Sequence, residues 1–380
     1  MKVTLASLDL FHIVDQARCL QAAGCLDRFF TTRLRQSHGI QHDRAKTCLP
    51  FHYALRILQR HWYQLGGNST YLQLCRGFDL WLKTQFSRTT NILTVLSGVG
   101  LQSFRAARKA GIITVVDSGS THTDFQHEIL AAEFRKNGIT KPLFPSAYRH
   151  RVRTELAEAD YIQIPSRFVG RTYLERGIPQ RKLMYAVYGV DQDRFTLREG
   201  PDASAPFRAI CPSGVNLRKG ARILVEAWKK LNLRDAELHW IGQPDRTTAH
   251  LFENKPESII FHSWMKQSDL VQLYRKCDVF VLPSFEEGFA RVMLEAAASG
   301  LPLIATPNTG VEEFFTPGDA EGFLIPAGDV EALCESLRSA ASDRQAVFDL
   351  GRRAASRART FTWEAYGERV LQNYLRIASS

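Results

Sequence analysis

Phe280-Val281-Leu282-Pro283-Ser284-Phe285-Glu286-Glu287-Gly288-Phe289-Ala290-Arg291-Val292-Met293-Leu294-Glu295-Ala296-Ala297-Ala298-Ser299-Gly300 joins a buried strand, a tight turn and a helix to two spaced carboxylates. Asp278 to Leu282 is a short apolar, β-branched run. Pro283-Ser284 and Glu287-Gly288 end that strand, and the pattern predicts a helix from Phe289 to Ser299. Glu287 then stands at a helix mouth. The first backbone N–H groups, those of Phe289, Ala290 and Arg291, would have no partner inside the helix and would carry the positive end of its dipole. Such an end suits phosphate or sugar oxygens.

Glu295 follows Glu287 by eight residues, which at ~1.5 Å of helical rise per residue separates the two by roughly 12 Å. That span fits two carboxylates holding opposite ends of one elongated ligand. The plainer reading is a Glu287 that complements the helix dipole and a Glu295 on a solvated face. Against it stands Met293-Leu294-Glu295-Ala296-Ala297-Ala298, an apolar, small-residue setting in which a carboxylate is seldom buried without a partner.

These residues resemble the retaining glycosyltransferases of family 4, with their GT-B architecture and E-x7-E signature. The resemblance runs through Leu301-Pro302-Leu303-Ile304-Ala305, Gly310-Val311-Glu312-Glu313 and Phe361-Thr362-Trp363. It covers most of residues 207 to 380 and more thinly residues 90 to 195. It implies two Rossmann-like, doubly wound parallel-sheet domains facing a cleft, with a final helix over residues 363–380 crossing back to the first domain. It implies that Glu287 contacts donor-sugar hydroxyls, that Glu295 contacts the nucleotide ribose, and that Gly288, Phe289 and Ala290 lie at the donor.

Composition agrees. A chain of 380 residues exceeds the ~250 to 300 over which one core usually grows. Its 44% apolar and 23% charged residues are ordinary for a globular protein. Seven cysteines without a C-x-x-C pair read as reduced thiols, neither a disulfide frame nor a zinc site. Asp9 breaks the opening apolar run before a signal-peptide core forms, and no run approaches the ~18 residues of a membrane span, so a cytoplasmic location is expected.

The net charge of +10 is unevenly spread. Residues 1–190 carry 26 Lys and Arg against 13 Asp and Glu, whereas residues 191–380 carry 23 against 26, giving halves of +13 and −3. A basic half matches an anionic partner such as a membrane surface, a lipid diphosphate or, less readily, nucleic acid; a merely solvated basic surface is the alternative.

Alternating apolar runs and helical patterns predict strands near residues 2–8, 27–32, 92–96, 112–117, 160–164 and 183–187, then 207–211, 236–241, 258–261, 278–282, 302–305 and 322–325. The polar stretch 191–206 reads as a linker between a first domain at 1–190 and a second at 207–362. In such folds ligands sit beyond the carboxyl ends of strands. After strand 207–211 comes Cys211-Pro212-Ser213-Gly214-Val215-Asn216-Leu217-Arg218-Lys219-Gly220, where Arg218 and Lys219 suit a diphosphate and Gly214 lets backbone approach it. The usual family pattern has an arginine directly after that glycine where this chain has Val215, which leaves Arg218 or Lys219 to take its role.

After strand 112–117, Thr123 and Gln126 fit a capping box that would start a helix near Asp124 and leave His122 exposed at its mouth. The resemblance places a histidine here beside the donor sugar. Thr306-Pro307-Asn308-Thr309-Gly310 is expected against the phosphates. The first loop, Leu8-Asp9-Leu10-Phe11-His12-Ile13, lacks the family's glycine pair. Either Asp9 to His12 serves the acceptor side, or the second domain holds the diphosphate almost alone. Pro50 to Arg88 sets Phe51, Leu55, Leu58, Trp62 and Leu65 against His52, Arg56, Arg60 and His61, an amphipathic basic helix that packs on its core or meets an anionic membrane.

The resulting expectation is a transferase without metal or other cofactor, in which the leaving phosphate helps deprotonate the acceptor. Its substrates are a nucleoside diphosphate sugar donor and a sugar or lipid-linked glycan acceptor. Asp191-Gln192-Asp193 has the spelling of a metal clamp but falls in the linker. Two other classes remain: a nucleotide-sugar epimerase of the same fold, and a noncatalytic scaffold.

Overall fold

A computed structural model describes residues 1–61, 68–140, 144–202, 204–263, 265–315 and 322–379. The first sheet contains β1 (Val3–Ser7), β2 (Leu26–Thr31), β3 (Ala45–Thr47), β4 (Ile92–Leu96), β5 (Ile113–Asp117), β6 (Tyr161–Ile164) and β7 (Leu183–Tyr185). Their spatial order is β3-β2-β1-β4-β5-β6-β7. The second contains β8 (Phe207–Cys211), β9 (Ala236–Ile241), β10 (Ile259–His262), β11 (Val279–Leu282), β12 (Leu303–Ala305) and β13 (Gly322–Leu324), in the order β10-β9-β8-β11-β12-β13. The pairings are parallel, so each connection is a crossover, and helices cover both faces.

Parallel strands buried on both faces read as unbroken apolar runs. All residues of β1 and β11 are buried. The three-residue β3 was not foreseen, because Ala45-Lys46-Thr47 is an exposed edge strand with no apolar run to announce it. In each sheet the strand order reverses once, between β1 and β4 and between β8 and β11. The loops leaving the carboxyl ends at these two switch points face one another across a cleft.

Between the sheets the chain crosses twice. The first crossing follows Val190, and the second brings the chain back through Phe361 to the helix Trp363–Ala378. That helix packs on Ile13–Ala22. The Tyr374 hydroxyl meets Gln16 Nε2 at 2.6 Å and Thr94 Oγ1 at 2.8 Å, and Asn373 Nδ2 donates to the Tyr185 carbonyl at 3.1 Å. The two crossings touch: Val190 N–H donates to the Phe361 carbonyl at 3.0 Å, and a Cβ on Gly189 would overlap the backbone of Thr362 and Trp363.

Residues 50–88 divide into helices Leu49–Arg60 and Asn68–Leu82. Leu55 and Leu58 are buried and Phe51 packs edge-on against Phe78, so this stripe faces its own core; Trp62 and Leu65 lie outside the described residues. The outer face of the first helix leaves Leu49, Tyr53 and Ile57 exposed. Among the described residues no helix is long and apolar enough to cross a membrane.

Candidate functional site

The loop after β8 turns sharply because Asn216 caps a short turn over Leu217–Lys219, its side chain accepting from Lys219 N–H at 3.1 Å. Gly220 then adopts φ 75°. A Cβ there would overlap the Pro283 carbonyl, so the loops after β8 and β11 can approach this closely only with a glycine at that position. Val215 is buried in the core, which leaves the cationic role to the next outward positions. Arg218 lines the cleft. Its Nε donates to Glu286 at 2.7 Å and its Nη2 reaches Glu287 at 3.5 Å. Lys219 Nζ meets Glu287 directly, and Ser284 Oγ donates to the same carboxylate at 3.3 Å. Burial works against charge on Arg218, but Glu287 and Glu286 outweigh it and hold the guanidinium protonated above its ordinary range.

Glu286 was missed from sequence, where its neighbour Glu287 absorbed the motif. It is fully buried and belongs to both domains: Thr121 donates to it through N–H at 3.1 Å and Oγ1 at 2.7 Å, and Gln126 Nε2 at 2.8 Å. Burial pushes its carboxyl up, yet the Arg218 charge and the Gln126 and Thr121 hydrogen bonds together pull it below the usual range. An ionised carboxylate is therefore the keystone of the seam. The seam continues at Gly288, where a Cβ would overlap the Gly119 carbonyl and where Ser166 Oγ donates to the Gly288 carbonyl at 2.7 Å. Further out, Arg222 pairs with buried Glu133 at 2.7 Å, Arg167 with Glu313 at 3.1 Å and Arg171 with Glu312 at 2.5 Å.

Several expectations need correction. The helix begins at Arg291, not Phe289, because Ala290 N–H is committed to the Thr309 carbonyl at 3.1 Å and Gly288 is held by Ser166. Phe289 still lines the cleft, but through its ring, which packs near Tyr188. His122 is buried rather than exposed. It is itself the cap of helix Thr123–Lys136, with Nδ1 accepting from Asp124 N–H at 3.2 Å, and Gln126 is drawn to Glu286 instead of completing a capping box. Burial lowers the pKa of His122, which favours the neutral imidazole, and its ring stands edge-on against Tyr173.

The loop 306–310 packs against the loop after β11. Thr306 Oγ1 donates to the Ser284 carbonyl at 2.6 Å, Asn308 Nδ2 to that of Phe285 at 2.9 Å, and Glu287 N–H to that of Asn308 at 2.9 Å. It is a brace for the Glu287 loop. Gly310 serves the same brace at φ 79°, packed on Gly288 and Phe289. Gly214 is exposed, and Glu295 sits by Tyr274 and Arg291, its carboxyl raised mainly by burial. The structure thus gathers Arg218, Lys219 and Glu287 into one cluster of ion pairs beside the cavity that Arg218 lines.

The cavity occupies about 860 Å³. Its first-domain wall comes from the loop after β1, with Leu10, Phe11 and His12, and from Ser118 to Thr121 after β5. The loop after β4, with Ser97, is pinned by buried Glu155, which accepts from Gly98 N–H and from Gly100 N–H at 2.5 Å. Burial pushes the Glu155 carboxyl up to about 7.

Residues 207–343 match the model of the family described as Glycosyl transferases group 1. Among curated proteins, the chain is 27% identical over 286 residues to Sulfoquinovosyl transferase SQD2 of Arabidopsis thaliana, covering 71% of this chain and 53% of that protein. It is 30% identical over 173 residues to the Putative colanic acid biosynthesis glycosyltransferase WcaL of Salmonella typhimurium, covering 42% of each. The chain thus spans about half the length of the curated relatives it matches. The structure superposes on Sucrose-phosphate synthase from Thermosynechococcus elongatus with a TM-score of 0.70 at 16% identity, covering 100% of both chains. It superposes on Anabaena Alr3699/HepE, solved in complex with UDP and glucose, with a TM-score of 0.68 at 16% identity over 99% of this chain and 100% of that one. The fold is GT-B, and residues 207–343 of its second domain are the part that matches the glycosyl transferases group 1 model.

Proposed function

We propose that the chain is a retaining, metal-independent glycosyltransferase of family 4 type, moving a sugar from a nucleoside diphosphate sugar to a hydroxyl acceptor in the building of a cell-surface polysaccharide or glycolipid. The observation that carries this reading is the pairing of Arg218 and Lys219 with Glu286 and Glu287 at the switch point of the second sheet, on the cleft that faces the first. A diphosphate entering the cleft meets Arg218 first. The guanidinium fork and the ammonium behind it would stabilise the negative charge that builds on the leaving group, which supplies without a metal the compensation such departure requires. Glu287, released from Lys219, would accept from donor-sugar hydroxyls. Glu295 would take the ribose once Arg291 and Tyr274 rearrange around it. The names of the relatives, a sulfoquinovosyl transferase and a putative colanic acid biosynthesis glycosyltransferase, support the reaction class.

Thermal unfolding with UDP, GDP, ADP, CMP and dTDP tests the donor site, since a ligand at about 100 times its dissociation constant stabilises by ~2.7 kcal/mol. One nucleotide should raise the melting temperature, and Glu295→Ala should abolish the rise. No rise with any of the five removes the reading. The same reading places the acceptor at a membrane surface: exposed Leu49, Tyr53 and Ile57 share one helix face flanked by Arg56 and Arg60 in the basic half. Binding to anionic vesicles at low salt, lost at high salt and in Tyr53→Glu, is the expected result; indifference to lipid charge would overturn it.

A further inference from the structure

The cleft contains a second buried acid–base pair that the donor chemistry leaves unused. His12 Nε2 lies 2.9 Å from Asp117 Oδ2, and both residues are buried. A carboxylate only accepts, so the pair forms with the proton on Nε2 and the lone pair on Nδ1. Among the described residues Nδ1 has no protein partner, and His12 lines the cavity. Its ring stacks on Tyr188 with centroids 4.4 Å apart. The Tyr188 hydroxyl is buried, lines the same cavity and also has no partner among the described residues, a state that ordinarily costs about 1–3 kcal/mol. Gly119 keeps the space over both groups open: a Cβ there would stand 3.2 Å from His12 Cε1 and 3.3 Å from the Tyr188 hydroxyl.

We propose that His12, oriented by Asp117, takes the proton of the acceptor hydroxyl, and that the Tyr188 hydroxyl binds the same acceptor sugar. This rests on the transfer reading above and relieves the leaving phosphate of the proton. The acceptor oxygen forms its bond to the anomeric carbon as the carbon–phosphate-oxygen bond breaks. The bonding pair leaves with the nucleoside diphosphate toward Arg218 and Lys219, and the acceptor proton passes to Nδ1. The imidazolium so formed is stabilised by Asp117 and returns its proton to solvent after release. Orientation of the imidazole by a buried carboxylate is the same division of labour that makes histidine bases effective elsewhere.

The test uses the full chain with His12→Gln, His12→Ala and Asp117→Asn. Transfer is measured from UDP-glucose, GDP-mannose and ADP-glucose to octyl glucoside, alongside the thermal shift given by UDP, GDP and ADP. Each His12 variant should lose about 10²–10⁴-fold in transfer with its nucleotide-induced shift intact. Added imidazole should restore His12→Ala in proportion to its concentration, which a merely structural histidine would not allow. Wild-type transfer by His12→Gln, or a His12→Ala variant indifferent to imidazole, would overturn the proposal. So would loss of the nucleotide shift in step with turnover. A nucleotide shift without transfer by the wild-type chain would instead strike the transfer reading and take this proposal with it.

Discussion

At the amino end of the second sheet, Asp278 receives Arg198 at 3.1 Å, Arg344 at 3.0 Å and the Arg208 backbone N–H at 2.9 Å, all from one domain. At the carboxyl end, Glu286 receives Arg218 from its own domain but Thr121 and Gln126 from the other. Both are buried carboxylates among arginines. They differ in what the cations face: Arg198 stacks on Phe348 beside a cavity of about 320 Å³, whereas Arg218 borders the cleft of about 860 Å³ that both domains line. A buried ion pair is weak evidence of function, since many serve only to complete a fold. A cation at the cleft between the domains, held by a carboxylate that the other domain also grips, is what separates a site from a brace.

The contrast breaks most visibly at Asp278. Asp278→Ala leaves Arg198 buried without its counter-charge and should cost about 3–5 kcal/mol of unfolding free energy in denaturant titration. Nucleotide binding per folded molecule should be unchanged. Lys219→Ala should do the reverse, keeping the denaturation midpoint while slowing transfer about 10²–10³-fold. Equal losses of stability in both variants would erase the distinction between the two ends. A finer probe is Glu286→Gln, which keeps the span to Thr121 and removes the charge competing for Arg218. Nucleotide affinity by calorimetry should tighten about tenfold, or about 1.4 kcal/mol, and weaker binding would make Glu286 part of the donor site.

The smallest effect concerns a third buried carboxylate. Burial raises Glu155 to about 7, so between its unfolded value and that point the folded state holds a proton the unfolded state lacks. The sign follows: stability falls as pH rises through this window and returns on acidification. Taking the protein from pH 7.5 to pH 6 should add about 1 kcal/mol through this group. The gain should vanish in Glu155→Gln, and an equal gain in that variant would assign it elsewhere.

The strands of the second sheet were legible because parallel strands buried on both faces leave unbroken apolar runs, and β3 escaped because an exposed edge leaves none. Arg218, Lys219 and Glu287 were legible because each sits in a loop directly after such a strand. Glu286 was not, although it is the most buried acid of the site, because its partners Thr121 and Gln126 lie 165 and 160 residues away. The only local trace is a second acid adjacent to Glu287 in a run that is otherwise apolar. The same distant partner explains the capping error at Thr123. Local pattern offered Gln126 to its own helix end, and tertiary structure took it across the seam. His12 shows the converse, a departure from a motif whose meaning appears only when Asp117 is brought beside it.

Gly189 and Thr362 give the molecule a pivot. Two chain crossings pressed together, with the Val190 to Phe361 hydrogen bond spanning them, oppose any sliding of one half past the other, because a slide would have to tear both strands of the crossing at once. Turning about that point would leave the crossing whole and part the seam at Glu286, Gly288 and Glu133 instead. Opening is therefore a swing, like that of a jaw, with the widest gape at the seam farthest from the crossing and almost none beside it.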